Sequence, residues 1–236
     1  MTREAPSLDA VRRVLVVGGS PERPTAELVR RLAAETDLVV ACDAGADACL
    51  AASVAVDVLI GDADSASTEA LAWARSTALS EEAFPMDKDD VDLGLAVAWV
   101  RRWCPGAREL VFTGVSGGRA DHALAVVGIL ARAADMAPWV EENTMVMRVL
   151  APVGCSCWQF APADVGRTAS VIAPMGEAVV SERGMRWDLD YAPLAPLSDL
   201  GVSNVVEHEG AGVTVHEGVA LVCLLRDRIV KESRTA

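Results

Sequence analysis

Short apolar runs alternate with longer amphipathic segments over residues 11–140 of the chain. Runs rich in valine and leucine predict strands at residues 13–17, 38–42, 58–60 and 109–113, with a further candidate strand at 78–84. Apolar positions at helical spacing predict helices at residues 24–35, 68–75, 90–103 and 122–134. Strands that are apolar on both faces and alternate with helices indicate an α/β fold, with a mostly parallel, Rossmann-like sheet flanked by helices.

After residue 139 the pattern changes to short β-rich runs separated by glycine, proline and aspartate. These runs lie at residues 145–150, 155–160, 168–174, 178–182, 213–216 and 219–225, with no convincing helical period between them. Such spacing is typical of a small antiparallel β-sandwich. We therefore predict two domains, an α/β domain over residues 1–138 and a β-rich domain over residues 139–236.

Composition and charge narrow the range of partners. Hydrophobic residues make up 52% of the 236 residues and charged residues 23%, which is typical of a globular protein. The net charge of −13 disfavours nucleic acid, so an anionic ligand needs a local basic group or a bound cation. We expect a cytoplasmic protein without membrane association, because the chain shows no signal peptide and lacks the ~18 apolar residues of a membrane span.

The six cysteines form no C-x-x-C pair and have no histidine at zinc-finger spacing. In a chain of this size without a secretory signal, free thiols are more plausible than a disulfide framework. We therefore look for the chemistry of the protein among its acidic and glycine-rich segments.

Four polar clusters follow predicted strands in the first domain. They are Asp43, residues 61–65, residues 87–92 and residues 117–122. In an open parallel sheet, ligands bind at the carboxyl ends of the strands, so we expect the four clusters to meet at one edge.

The carboxylates in these clusters are spaced so that they can act together. Asp62 and Asp64 lie two apart in an extended segment, and Asp89 and Asp92 lie three apart at a helix start. One carboxylate at a helix start is ordinarily a cap or a partner of the helix dipole. Several at one sheet edge repel one another unless a cation lies among them, and oxygen ligands suit Mg²⁺.

The segment that begins at Gly117 favours an anionic ligand, in contrast to the acidic clusters. Gly117 and Gly118 allow close approach of the backbone, Arg119 offers a bidentate phosphate contact, and the following helix start presents free N–H groups. Beside the acidic clusters, this indicates metal-assisted phosphate chemistry on a nucleotide or another polyphosphate. The residues alone leave the substrate open. The segment 18–20 is Gly-Gly-Ser rather than G-x-G-x-x-G, which disfavours NAD or FAD.

Six segments, in order along the chain, resemble the thiamine pyrophosphokinase family. They are CDAGAD at 42–47, GDADS at 61–65, KDDVD at 88–92, GGRADH at 117–122, GMRWDL at 184–189 and GVSN at 201–204. The corresponding family patterns are A-D-G-G-A-N, G-D-F-D-S, K/Q-D-x-T-D, G-G-R-x-D-H, G-h-x-W/Y-x-L (h apolar) and G-x-S-N.

The resemblance implies an Mg²⁺-dependent enzyme in which the thiamine hydroxyl attacks the β-phosphorus of ATP and releases AMP. It also implies a homodimer, with thiamine bound between the first domain of one chain and the second domain of its partner. The implied metal ligands are Asp43, Asp62, Asp64 and Asp92, with Asp62, Asp64, Asp89 and Asp92 as the catalytic set. The implied nucleotide-binding residues are Asp43, Ser65, Gly117, Gly118, Arg119, Asp121 and His122, and the implied thiamine-binding residues are Trp187, Ser203 and Asn204.

The chain departs from the family pattern at several positions but keeps the acidic residues. Ala63 replaces an aromatic residue, Val91 replaces threonine, and Val126 stands where asparagine is common. Two alternatives therefore stay open. One is a pyrophosphokinase that acts on another hydroxymethyl heterocycle, such as a pterin. The other is a non-catalytic protein that binds thiamine or a nucleotide.

Overall fold

The computed structural model describes residues 7–61, 65–82 and 92–228. The chain divides into two compact units between Asn143 and Thr144. Asp62, Asp64 and Asp89, together with Ala63 and Val91, lie outside the described residues. Among the described residues, no helix is long and apolar enough to cross a membrane.

The first unit contains a parallel sheet flanked by helices. Its strands are β1 (Arg13–Val17), β2 (Leu38–Cys42), β3 (Val58–Ile60), β4 (Ser80–Glu82), β5 (Glu109–Thr113) and β6 (Trp139–Glu141), in the spatial order β6-β5-β1-β2-β3-β4. All the pairings between them are parallel. The helices are α1 (Ala26–Ala34), α2 (Gly45–Ala52), α3 (Thr68–Thr77), α4 (Asp92–Trp103) and α5 (Ala120–Arg132). The predicted α/β architecture is confirmed.

The central strands β1, β2 and β5 are buried on both faces, as their sequences predict. Every residue of β2 is buried, and in β1 and β5 only the first residue is partly exposed. Side chains such as Leu15 and Phe112 are fully buried. Removal of such apolar surface from water is the main force that holds a sheet between two helical layers.

Helices α1 and α3 begin at ordinary side-chain caps. The hydroxyl of Thr25 accepts a hydrogen bond from the Leu28 N–H at 3.2 Å, and the hydroxyl of Ser67 accepts one from the Ala70 N–H at 3.1 Å. Each cap satisfies a backbone N–H that has no partner within the helix, so the sequence itself fixes where α1 and α3 begin.

Helix α2 is not predicted by the sequence pattern, because its short alanine-rich segment has no clear apolar face. It begins at Gly45, where an added Cβ would lie 2.0 Å from the carbonyl oxygen of Val17. Only glycine allows the helix to approach β1 this closely. The tertiary contact, rather than the local pattern, therefore specifies α2.

The second unit is built from two antiparallel sheets. Its strands are β7 (Met145–Leu150), β8 (Cys157–Gln159), β9 (Arg167–Ile172), β10 (Ala178–Arg183), β11 (Leu189–Leu194), β12 (Asn204–Val205), β13 (Gly212–Glu217) and β14 (Ala220–Arg228). The first sheet has the order β12-β9-β14-β7 and the second the order β11-β10-β13-β8. Buried residues of both sheets, including Val171 and Val222 from the first and Val180 and Val213 from the second, form one core. The predicted antiparallel sandwich is confirmed.

Strands β11 and β12 have no counterpart in the sequence prediction. Strand β11 is an edge strand that carries Asp190 and Pro193, and only its last residue, Leu194, is buried. Strand β12 has two residues. Edge strands and very short strands have weak alternation, because few of their side chains face the core.

Candidate active site

A cavity of about 320 Å³ lies at the carboxyl edge of the parallel sheet in the first unit. It is formed by the segments that follow β1, β2 and β5 and by the starts of α4 and α5. The residues that line it are Gly18, Gly19, Ser20, Pro21, Cys42, Asp43, Ser65, Asp92, Leu93, Gly114, Val115, Gly117, Arg119, His122 and Val126. The predicted site residues Asp43, Ser65, Asp92, Gly117, Arg119 and His122 therefore share one cavity.

Asp43 is held directly at the end of β2. Its N–H donates to the carbonyl oxygen of Ile60 at 3.0 Å, and its backbone has φ +45°. Asp and Asn adopt this left-handed conformation more readily than most residues. A Cβ added at Gly61 would lie 1.8 Å from Asp43 Oδ1, so the glycine provides the space that the carboxylate occupies.

Asp92 is brought to the same place by the start of α4. The Cys42 thiol donates to the carbonyl oxygen of Asp92 at 3.8 Å, which links the end of β2 to this helix. Carboxylates 49 positions apart in sequence thus face a common cavity. Their proximity is a consequence of the fold, as the argument from strand ends anticipates.

The two carboxylates fit a magnesium site of the kind completed by substrate. Among the described residues there is no group of three or more histidine, cysteine, aspartate or glutamate side chains arranged for a metal ion. Mg²⁺ commonly binds through one or two carboxylates together with phosphate oxygens and water. Asp43 and Asp92 therefore provide the carboxylates that such a site requires.

Arg119 and Asp121 form an exposed ion pair at the start of α5. Arg119 Nη2 lies 2.6 Å from Asp121 Oδ2, and Arg119 Nε lies 3.1 Å from Asp121 Oδ1. The hydrogen bonds from Arg119, with a smaller contribution from the His122 N–H, lower the pKa of Asp121 to about 2. Asp121 thus remains charged and orients the guanidinium of Arg119. Neither Asp121 nor Gly118 lines the cavity itself.

The segment after β1, residues 18–20, lines the cavity, although no sequence motif assigns it a role. The N–H groups of Gly18 and Ser20 donate to the carbonyl oxygens of Thr113 (2.9 Å) and Gly114 (2.8 Å), and the Ser20 hydroxyl donates to the carbonyl oxygen of Ser116. A Cβ added at Gly18 would lie 2.6 Å from the Gly114 oxygen. The available signal was the position of residues 18–20 directly after a central strand.

Trp187, in the second unit, has an exposed ring on a fixed backbone. It is 60% exposed, so it is not a core residue of this unit. The guanidinium of Arg186 lies 5.7 Å from the ring centroid, so the ring already accepts a cation on its face. Ser203 is exposed in a turn with φ +60°, and its N–H donates to the Ser170 hydroxyl at 2.9 Å.

Asn204 is buried and directed toward protein groups. Its Oδ1 accepts from the N–H groups of Trp187 (3.1 Å) and Val205 (2.9 Å). Its Nδ2 donates to the carbonyl oxygen of Trp187 at 2.8 Å and to Glu182 Oε2 at 2.9 Å. This arrangement supports an indirect role for Asn204, which is to hold the backbone of Trp187.

The parallel sheet carries two carboxylates and an arginine around a cavity at its carboxyl edge, which is where open α/β sheets bind their ligands. Residues 29–140 match the family model described as "Thiamin pyrophosphokinase, catalytic domain". This segment contains Asp43, Asp92, Arg119 and His122.

Known proteins agree with this match. Thiamine pyrophosphokinase 1 of Oryza sativa subsp. japonica is 25% identical over 177 residues, which cover 72% of this chain and 67% of the relative. The crystal structure of thiamine pyrophosphokinase from Bacillus subtilis superposes with a TM-score of 0.74 at 20% identity, over 92% of this chain and 100% of that one. A thiamin pyrophosphokinase family protein from Enterococcus faecalis gives a TM-score of 0.71 at 24% identity, with coverages of 92% and 100%. Over residues 29–140 the chain thus matches the catalytic domain of this family, and its fold is similar to that of solved thiamine pyrophosphokinases.

Proposed function

We propose that the protein is a thiamine diphosphokinase that transfers a pyrophosphoryl group from ATP to the hydroxyl of thiamine, giving thiamine diphosphate and AMP. The observation that carries the proposal is the cavity in which Asp43, Asp92 and Arg119 converge, within the segment that matches the family model. A pterin-like acceptor and a non-catalytic binding protein find no support in the comparisons. Cytoplasmic location and the absence of nucleic-acid partners remain predictions.

The residues of the cavity have distinct roles in this reaction. The thiamine hydroxyl oxygen attacks the β-phosphorus, the bond from that phosphorus to the bridging oxygen of AMP breaks, and the hydroxyl proton passes to solvent. Arg119 and backbone N–H groups at the start of α5 bind the phosphates. Asp43 and Asp92 would hold Mg²⁺, with Asp62 and Asp64 as further proposed ligands. When bound, Mg²⁺ neutralises charge on the phosphate oxygens.

The assignment is tested by incubation of the protein with ATP, Mg²⁺ and thiamine, followed by chromatography. Equal amounts of AMP and thiamine diphosphate are expected. A parallel reaction with 6-hydroxymethylpterin as acceptor distinguishes the pterin alternative. ATP binding without release of AMP in either reaction would leave the non-catalytic alternative and contradict the proposal.

Trp187→Ala tests the proposed contact between the exposed ring and the cationic heterocycle of thiamine. Stacking of a cation on an aromatic face contributes roughly 0.5–2 kcal/mol, so KM for thiamine should rise about 2- to 30-fold while KM for ATP changes little. Steady-state kinetics with each substrate varied in turn measures both values.

Trp103→Ala is the matched control, because Trp103 is also exposed (44%) but belongs to α4, outside the residues that line the cavity. It should leave both KM values unchanged. Equal increases in the two KM values for Trp187→Ala, or unfolding of that variant alone, would contradict a specific role in thiamine binding.

The homodimer is part of the proposal and is supported by the family resemblance. Asp43→Asn is expected to be nearly inactive alone, and Trp187→Ala is expected to be poorly active at thiamine concentrations well below its KM. If every active site uses Asp43 from one chain and Trp187 from its partner, a mixed dimer has one intact site. After random exchange of equal amounts, about a quarter of the wild-type site activity should return. Differently tagged chains that co-purify prove the exchange, and activity no higher than that of the parents would then contradict shared sites.

A further inference from the structure

Glu142 is a buried carboxylate that accepts four hydrogen bonds from one segment of the cavity wall. It directly follows β6 and is 4% exposed. Its Oε1 accepts from the N–H groups of Val115 (2.9 Å) and Ser116 (3.1 Å). Its Oε2 accepts from the N–H of Gly114 (3.0 Å) and the hydroxyl of Thr113 (3.4 Å). Both oxygens are therefore fully used as acceptors.

These hydrogen bonds determine the direction in which the segment 113–116 presents its backbone. Three consecutive N–H groups that converge on one point form an anion site, and here the anion belongs to the protein. The N–H groups of residues 114–116 are thereby directed toward Glu142. Backbone contacts to a phosphate in the cavity must therefore come from Gly117 and the start of α5.

The opposite side of the same segment is fixed by the loop after β1. The carbonyl oxygens of Thr113, Gly114 and Ser116 accept from the N–H groups of Gly18 and Ser20 and from the Ser20 hydroxyl. Both loops line the cavity. Glu142 thus holds one side of a two-loop wall whose next residues, Gly117 and Arg119, face the cavity.

We propose that Glu142 is a positioning residue for the nucleotide phosphates, which it serves by holding residues 113–116 so that Gly117 and Arg119 face the cavity. The proposal rests on the proposed function for the identity of the ligand. The carboxylate of Glu142 is essential to this positioning. Hydrogen bonds from residues 113–116 replace its lost hydration, and the same hydrogen bonds hold the segment in place.

Glu142→Gln is the sharpest test, because it preserves the size of the side chain and replaces the carboxylate by an amide. The amide has one oxygen, and its NH₂ group would face two N–H or O–H donors. KM for ATP should rise by at least about tenfold, the scale of losing a hydrogen bond to a charged group, while KM for thiamine stays within about twofold. Glu142→Asp keeps the charge and should recover part of the affinity for ATP.

Glu141→Gln is the matched control. Glu141 is the adjacent residue and is equally buried at 6%, but its Oε1 pairs with Arg31 at 2.6 Å instead of with the cavity wall. It should leave the ratio of the two KM values unchanged.

Hydrogen exchange of the backbone amides gives a readout that does not depend on turnover. The amides of residues 114–116 should exchange faster in Glu142→Gln than in the wild type or in Glu141→Gln. Unchanged exchange would overturn the proposal, and so would faster exchange with an unchanged KM for ATP, since Glu142 would then have only a structural role.

Calorimetric titration with ATP separates this proposal from the assignment of the reaction. If the wild type forms no thiamine diphosphate, the proposed function fails, yet weaker ATP binding by Glu142→Gln alone still supports the positioning role. Equal ATP affinity of the wild type, Glu142→Gln and Glu141→Gln would overturn the positioning role. If Glu142→Gln does not fold, the same comparison of exchange and affinity is made with Glu142→Asp, whose shorter side chain should give a smaller change in the same direction.

Discussion

Asp43→Asn is expected to lower kcat by at least about a hundredfold, the scale of losing a principal electrostatic group of an active site. The substitution keeps the shape of the side chain, and asparagine tolerates the φ of +45° found at this position. What it removes is the negative charge in the cavity that we propose as a ligand of Mg²⁺. The same result is expected for Asp64→Asn, at a position outside the described residues, and EDTA should abolish the turnover of the wild type.

The control for this prediction is Asp135→Asn. Asp135 is a carboxylate of the same unit that pairs with Arg101 at 2.6 Å and does not line the cavity. Its loss should change kcat by less than about twofold, because exposed ion pairs contribute little. Turnover is measured as AMP and thiamine diphosphate by chromatography. Nearly normal kcat for a folded Asp43→Asn protein would contradict the proposed role of Asp43.

Glu182 is expected to make the stability of the protein fall as the pH rises. It is fully buried in β10, and its Oε1 has no hydrogen-bond partner among the residues that the structure describes. Burial raises its pKa to about 7 despite the hydrogen bond from Asn204, and the nearby charge of Asp188 adds to the rise. The folded state therefore binds more protons than the unfolded state between its ordinary pKa of 4.5 and about 7.

The sign of the effect follows from this difference in bound protons. The favourable contribution of protonated Glu182 is complete below the unfolded pKa and is lost as the pH rises through the folded pKa. Between pH 4 and pH 8 the wild type should lose about 3 kcal/mol of unfolding free energy that Glu182→Gln does not lose. Urea denaturation at several pH values measures this difference.

Glu209→Gln is the matched control, because it removes a carboxylate from an exposed turn of the same unit. It should keep the pH dependence of the wild type. If Glu182→Gln also keeps it, Glu182 does not gain protons on folding and the prediction is wrong.

The candidate site could be anticipated from the sequence as far as its sheet edge. Asp43 and Arg119 each follow a strand that the apolar pattern identifies, and parallel strands place their carboxyl ends together. The segment 18–20 also follows a central strand, but it lacks a recognised motif. Its position in the cavity is seen only in the structure, where hydrogen bonds to residues 113–116 hold it. Asn204 was predicted to bind substrate, whereas the structure supports a role through the backbone of Trp187. A single polar residue gives no local signal of which groups its amide will contact in the folded protein.

The local pattern of apolar residues is enough to predict the class of the fold and the bounds of its central strands. Residues 13–17, 38–42 and 109–113 are apolar enough to be buried on both faces wherever the chain folds, so their local composition suffices. Helix α2 cannot be predicted in this way, because it depends on the close tertiary contact between Gly45 and the carbonyl oxygen of Val17. The tertiary structure also accounts for the burial of Glu142, an acidic residue that accepts its hydrogen bonds from a segment distant in sequence. Apolar burial is encoded in the spacing of residues, whereas close approach and polar pairing depend on partners that the chain brings together from far along its length.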